Sequence, residues 1–360
     1  MATGRARPGR SFRLLKAPTR APFFFFIVGS TSWPAGTARA AAGTDIGLEH
    51  GAVRVMAGAR HWLQCPGTTR NLPMPALAHD IDTELDQARS EGPMRTIVIP
   101  PCPELLVRLQ GVMRQPDPDW AEVMEIAGAD VAMAASLVRA ANSPLYARSR
   151  AVQGVEQAMA LLGLRQTAAL LTQFLTARAL PVKHPAMETF WEISAQRAHA
   201  ITYIARQLYG VPTDLAHSFG LFCDVGIPIL LKSLPGYGGT LAESRARRDR
   251  SMTATEQAAH RTDHAIVGAL VARTWQLAPE LKPAIRLHHE AEALGDRRID
   301  DIVRTLIAAG LVAEHIVGQI AGLPPGIEWT QRGPSCLDHL QVQPGELLHW
   351  QDELACLAQP

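Results

Sequence analysis

From Pro100 onward the chain is a succession of apolar segments at helical spacing. Each is closed within a few residues by Pro, Gly or Asn, and none alternates apolar and polar residues between hairpin turns. That pattern leaves few folds open. Residues 104–113 place Leu105, Leu106, Leu109, Val112 and Met113 at helical intervals, and Asp119 with Glu122 forms a capping-box start for the next helix. A helix beginning after Asp130 is stopped by Asn142-Ser143-Pro144, and helices over 155–161 and 165–180 flank Gly163, a C-cap position. Residues 191–209 read as one long helix with Trp191, Ser194, Ala198, Ile201, Ala205 and Leu208 on its apolar or small face. The same reading gives one buried helix over 219–231 and a Gly-opened loop over 236–250. Helices follow over 255–260, 264–275, 279–289 and 299–320, with one closing helix in 336–360. The predicted class is all-α.

Length and charge narrow the function classes. A chain of 360 residues holds one large or two medium domains, and its 47% hydrophobic and 19% charged residues are ordinary for a globular protein. The formal net charge is +1, so no global field draws nucleic acid or a membrane surface. No apolar run is read as reaching the ~20 residues that span a bilayer. The cysteines Cys65, Cys102, Cys223, Cys336 and Cys356 are scattered and form no CxxC pair, which argues against a disulfide framework or structural zinc and implies a reducing, cytoplasmic setting.

Residues 1–43 carry Arg5, Arg7, Arg10, Arg13, Lys16, Arg20 and Arg39 and no acid, followed by the short apolar run Phe23–Val28. The layout is loosely that of a secretory signal, but the apolar core is shorter than the usual ~7–15 residues. A disordered basic extension, or a start codon set too far upstream, is the simpler reading. Residues 44–92 are poorly defined; His79-Asp80 reads as a chance pair, and 80–89 as a short amphipathic helix.

Several segments, in order, resemble the HDOD family, an HD-related output domain of bacterial signalling proteins. They are Ile99-Pro100-Pro101-Cys102-Pro103, Ala141-Asn142-Ser143 with Leu145-Tyr146, and Ala158 through Gly163. Phe190-Trp191-Glu192-Ile193-Ser194, Gly220 through Gly226, His264 through Gly268 with Trp275 and Leu277, and His288-His289-Glu290 complete the set. The resemblance implies an HD-like orthogonal bundle over 93–295, with C-terminal helices in 296–360 packing on it.

HD hydrolases hold a divalent metal through an early His, an adjacent His-Asp pair and a later Asp. Carried across, the early position is Ile193, which has no lone pair. The pair is Cys223-Asp224, and the later Asp falls near Ala309-Gly310, where no carboxylate stands. Cys223 ligates only as a thiolate and otherwise fills space in a buried helix. The resemblance therefore implies a relic pocket of Ile193, Cys223, Asp224, His264, His288 and His289, with no catalytic residue, metal or cofactor. Asp224 reads as a buried carboxylate satisfied by His288, His289 or backbone amides. The leading expectation is a non-enzymatic regulatory module acting through a signalling protein partner or a nucleotide second messenger. The alternative is a divergent metal-dependent phosphohydrolase using Asp224, His264, His288 and His289. Nucleic-acid binding rests only on the helical first half and the 245–250 Arg cluster, which has no interleaved aromatics, and neither it nor a membrane role is expected.

Overall fold

The computed structural model describes residues 76–143 and 151–358. The chain divides into two units, Met1–Thr69 and Arg70–Pro360, and every described residue lies in the second. The expectations for 1–43, for most of 44–92 and for Leu145-Tyr146 fall outside the described residues.

Among the described residues the protein is helical without a strand, as the turn-punctuated pattern predicts. After α1 (Ala76–Ser90), five helices form one end: α2 (Glu104–Met113), α3 (Trp120–Gly128), α4 (Val131–Ala141), α5 (Val155–Leu162) and α6 (Leu164–Ala179). Asp119 caps α3 by accepting from the Ala121 amide, and Asp130 caps α4 by accepting from Ala132 and Met133. The helices that carry the site follow: α7 (Phe190–Gln207), α8 (Thr213–Phe222), α9 (Gly226–Ser233), α10 (Tyr237–Ala246), α11 (Met252–His260), α12 (His264–Thr274) and α13 (Leu281–Leu287). The chain closes with α14 (Asp301–Ile320), α15 (Ile327–Leu340) and α16 (Pro344–Ala358). Helix α7 packs on α8 and α14, α12 on α9 and α13, and α14 on α15.

Two of the segments that carry the resemblance acquire physical roles. The Asn142 side chain accepts from the Val152 amide and donates to its carbonyl, both at 2.8 Å, so it brackets the segment between α4 and α5. The Trp275 indole donates to the Pro100 carbonyl at 2.9 Å, tying the proline-rich opening to the end of α12.

Four expectations are corrected. The helix expected over 219–231 is broken at Cys223-Asp224-Val225, between α8 and α9. Pro228 is the cause: it has no amide for the Asp224 carbonyl, and its ring would clash with that carbonyl in a continuous helix. The Asp224 carbonyl accepts from Ile227 instead, at 2.9 Å. The combined stretch Thr213–Ser233 is apolar enough by composition to cross a membrane, contrary to expectation, but 67% of its most apolar window is buried inside the protein. The loop expected over 236–250 is mostly helix α10, because Tyr237 and Leu241 are buried and Thr240 bonds His260 at 2.9 Å. Two of its arginines are engaged: Arg247 pairs with Glu243 and Asp249, and Arg248 donates to backbone carbonyls. Finally, 336–360 is the end of α15 plus α16, not one helix.

Candidate functional site

The break between α8 and α9 turns the Asp224 carboxylate inward, where α7, α12 and the end of α13 meet. Two close approaches permit this. A Cβ on Gly220 would lie 2.5 Å from Ala198 Cα of α7, and one on Gly226 would lie 2.2 Å from the His264 carbonyl of α12. Only glycine allows backbones this close.

One oxygen of Asp224 faces α7. Arg197, 7% exposed, donates from Nη1 to Asp224 Oδ2 at 2.6 Å and from Nε to the Gly220 carbonyl at 3.1 Å. Burial opposes ionisation of Asp224, but Arg197, then His288 and His264, hold its pKa well below the ordinary carboxylate value. Ile193, the carried-over early position, lies one turn earlier and is 44% exposed. It therefore does not belong to the pocket, and the α7 residue that reaches Asp224 is Arg197. Cys223 lines the cavity but is 3% exposed, and burial raises its thiol far above the ordinary value. It stays a neutral thiol, with Sγ 3.8 Å from the Gly220 carbonyl.

The other oxygen faces three imidazoles. His264 Nε2 and His288 Nε2 each lie 3.5 Å from Asp224 Oδ1. His264 Nε2 is 3.0 Å from His289 Nε2 and 3.4 Å from His288 Nε2. Every Nδ1 is turned outward to an acceptor. His264 Nδ1 meets Glu256 Oε2 at 2.7 Å, His288 Nδ1 meets the Ile285 carbonyl at 2.7 Å, and His289 Nδ1 meets Glu328 Oε1 at 2.6 Å. Glu256, fully buried, also accepts from the His264 amide at 3.0 Å and from the Tyr237 hydroxyl at 2.5 Å. Acceptor-only partners put the proton on each Nδ1, so neutral rings turn three Nε2 lone pairs toward one another and toward a carboxylate oxygen.

Such a convergence calls for a positive charge at its centre. In the absence of a metal a proton serves. Burial disfavours charged His264, but the Glu256 carboxylate, with Asp224 and Asp263, outweighs it and lifts the pKa to about 9. Burial and the neighbouring His289 push His288 down to about 4. Burial disfavours charged His289, but Glu328 outweighs it and lifts its pKa, and two Nε2 atoms 3.0 Å apart have room for one proton between them.

A divalent cation fits the same donors. The four ligand atoms of Asp224, His264, His288 and His289 all lie within 4.8 Å of one another. Donors around a four-coordinate zinc stand roughly 3.3 Å apart, from metal–nitrogen bonds of about 2.0–2.1 Å. The imidazoles also carry the outward Nδ1 hydrogen bonds that orient metal-ligating histidines. The HD-pair arrangement itself does not fit, because Arg197 stands beside Asp224 and Cys223 holds its proton.

Beside the cluster is a small, partly open cavity of ≈ 20 Å³, lined by Arg197, Cys223, His288, His289, Glu314 and Glu328 among others. It has room for about one water. Arg197 Nη2 has no hydrogen-bond partner. Glu314, exposed at the cavity's edge, has its pKa raised by the surrounding protein and then by Glu328. An open polar groove of ≈ 370 Å³ adjoins the cluster between α11, the end of α13 and α15, and shares His289 and Glu328 with the cavity.

Of the residues the sequence singles out, the structure thus brings together Cys223, Asp224, His264, His288 and His289, and leaves Ile193 outside. Sequence reasoning missed Arg197, Glu256, Glu314 and Glu328. Arg197 left a signal: it falls on the apolar stripe of α7 between Ser194 and Ile201, where an unpaired charge is costly.

Comparison with known proteins agrees with this architecture. The HDOD domain family model matches residues 99–291. An uncharacterised protein of Treponema pallidum (strain Nichols) is 24% identical over 215 residues, a match spanning 58% of this chain and 41% of the Treponema protein. The chain thus spans less than half of that relative's length. The crystal structure of a candidate signal transduction protein from Marinobacter aquaeolei VT8 is similar with a TM-score of 0.61 at 21% identity, covering 79% of this chain and 64% of that one. The crystal structure of a candidate phosphohydrolase from Shewanella amazonensis SB2B is similar with a TM-score of 0.57 at 18% identity, covering 77% and 94%. With more than half of its length matched by the family model, the chain belongs to the HDOD domain family.

Proposed function

We propose that this chain is a regulatory HDOD module that holds one divalent cation at Asp224, His264, His288 and His289 and acts on a signalling protein partner without turning over a phosphoester. The observation that carries the reading is the 2.6 Å contact of Arg197 with Asp224 Oδ2. A permanent guanidinium stands beside the one retained residue of the HD pair, and the neighbouring thiol is protonated. A second hydrolytic metal is not accommodated there. The donor set suits zinc, iron(II) or manganese, and a bound cation would supply Lewis acidity or simply hold three helices together. The cavity of ≈ 20 Å³ admits about one water and no nucleotide; a nucleotide messenger would have to sit in the adjoining groove of ≈ 370 Å³. The organisation that goes with this reading is a basic extension over 1–43, a region over 44–92, the HDOD domain over 93–295 and helices over 296–360 packed on it, in a reducing cytoplasm.

A second reading, a one-metal phosphohydrolase, draws support from the four-donor cluster and the adjoining groove of ≈ 370 Å³, and from the description of the Shewanella relative. The deciding experiment supplies the full chain with Zn²⁺, Mn²⁺ or Fe²⁺. It then measures turnover of cyclic dinucleotides and of a chromogenic phosphodiester. The regulatory reading expects none above the buffer rate. Turnover that disappears in His264→Ala would overturn it.

A further inference from the structure

His289 is held differently from the other two imidazoles. His264 is the first residue of α12, and its Nδ1 anchor is Glu256 on α11. His288 is anchored on the Ile285 carbonyl of α13. Both anchors lie inside the family-matched residues 99–291. His289 stands past the end of α13, outside any helix, and its Nε2 lies 3.0 Å from His264 Nε2 of α12. The hydrogen bonds that hold its Nδ1 and its flanking backbone come from α15, beyond the matched residues. Glu328 Oε1 accepts from His289 Nδ1 at 2.6 Å. Arg332, 6% exposed, donates to the His288 carbonyl at 2.8 Å and to the Glu290 carbonyl at 2.9 Å, one on each side of His289. The two anchors share a face of α15, with Arg332 Nη2 3.5 Å from Glu328 Oε2 one turn away.

We infer that Glu328 and Arg332 are positioning residues that complete the cation site from outside the HDOD core, Glu328 by fixing the tautomer and direction of the His289 ring and Arg332 by clamping the backbone that carries it. The inference rests on the cation-site reading above. Its physical content is that a ligand is only as good as the acceptor behind its other nitrogen. A carboxylate is acceptor-only, so His289 Nδ1 keeps its proton and Nε2 offers its lone pair. Without Glu328 the ring is free to turn or to exchange tautomers. The seating of α15 therefore sets the affinity of a site whose four ligands all lie elsewhere, and a partner that lifts α15 would release the cation.

The test uses the chelator-treated full chain titrated with Co²⁺ alone, read by visible absorption, with wild type, Glu328→Ala, Glu328→Gln and Leu340→Ala compared. Leu340 is a buried residue at the opposite end of α15 from Glu328. The expected result is a Co²⁺ affinity weakened about 10–100-fold in Glu328→Ala. Glu328→Gln should lose less, because its amide oxygen still accepts from Nδ1. Leu340→Ala should melt at a lower temperature with the wild-type Co²⁺ affinity. Equal affinity in Glu328→Ala and wild type overturns the inference while leaving the cation site standing. So does an equal loss in Leu340→Ala, which would assign the effect to α15 packing in general. Failure of the wild type to bind Co²⁺ overturns the cation-site reading, and this inference with it.

Discussion

The two oxygens of Asp224 face two different solutions to the same electrostatic problem. On the side of α7 and α8, Oδ2 meets Arg197, a cation written into the chain, and the adjoining residue is a protonated, buried Cys223. On the side of α12 and α13, Oδ1 meets three imidazoles backed by Glu256, the Ile285 carbonyl and Glu328. The first side is complete as it stands. The second places lone pairs against lone pairs and is complete only with an added proton or metal ion. One side of Asp224 is thus met by a fixed charge, and the other by groups that can share an exchangeable one.

The largest effect is expected where the two sides meet. Asp224→Ala removes the partner of a buried guanidinium and one donor of the cluster together. Breaking a buried pair in this way costs about 3–5 kcal/mol, to be read from chemical denaturation of wild type and variant. A loss under 1 kcal/mol would mean that Arg197 finds another partner and that the contrast between the sides is not electrostatic.

Gly226→Ala tests the close approach that joins the sides. Its Cβ would fall 2.2 Å from the His264 carbonyl, so α9 and α12 must separate. The expected cost is about 1–3 kcal/mol, with His264 displaced from Asp224.

A histidine pair elsewhere sharpens the comparison. His199 and His217 stand with ring centroids 5.9 Å apart and no carboxylate bonded behind either. Burial, then the neighbouring His199, push His217 down to about 3, whereas Glu256 lifts His264 to about 9. The folded pKa of His217 lies below its unfolded value of ~6.5. Its contribution to stability is therefore fully present above pH ~6.5 and is lost as pH falls toward 3. Melting temperatures of wild type between pH 7 and pH 4 should fall more steeply than those of His217→Gln. Parallel curves would remove His217 as a source of acid sensitivity.

The smallest effect is expected at Cys223. Iodoacetamide at pH 8 should modify Cys356, which is exposed, and leave Cys223 unmodified in the folded protein, as read from peptide masses. Labelling of Cys223 at a rate near that of Cys356 would mean a thiolate in the pocket, and a softer ligand set than the one described.

The helical class and most helix positions were legible because apolar spacing and Pro, Gly and Asn stops are local signals. So were the residues that cluster, since Asp224, His264, His288 and His289 sit within the segments that carry the family resemblance. The break at Asp224 was hidden by the continuous apolar run around it, although Pro228 carried the clue. Ile193 was misplaced by one helical turn, because a motif alignment fixes sequence register and not which side chain reaches across to the next helix. Glu256 and Glu328 were invisible for a related reason. They lie on α11 and α15, 8 and 39 residues from the imidazoles they hold, and no local periodicity marks a hydrogen bond across helices. The stretch 237–246 looked like a loop because its glycines and charges outweighed Tyr237 and Leu241, whose burial seats the helix; 247–250 do lie outside it.

The most direct test of the central claim is the metal content of the full chain purified without chelator, by elemental analysis. The account predicts close to one equivalent of a divalent transition metal per chain, reduced severalfold in His264→Ala and His289→Ala. A wild-type protein that folds normally with less than a tenth of an equivalent, and that takes up none on dialysis against Zn²⁺ or Mn²⁺, would contradict it, and would leave a shared proton as the charge at the centre of the cluster.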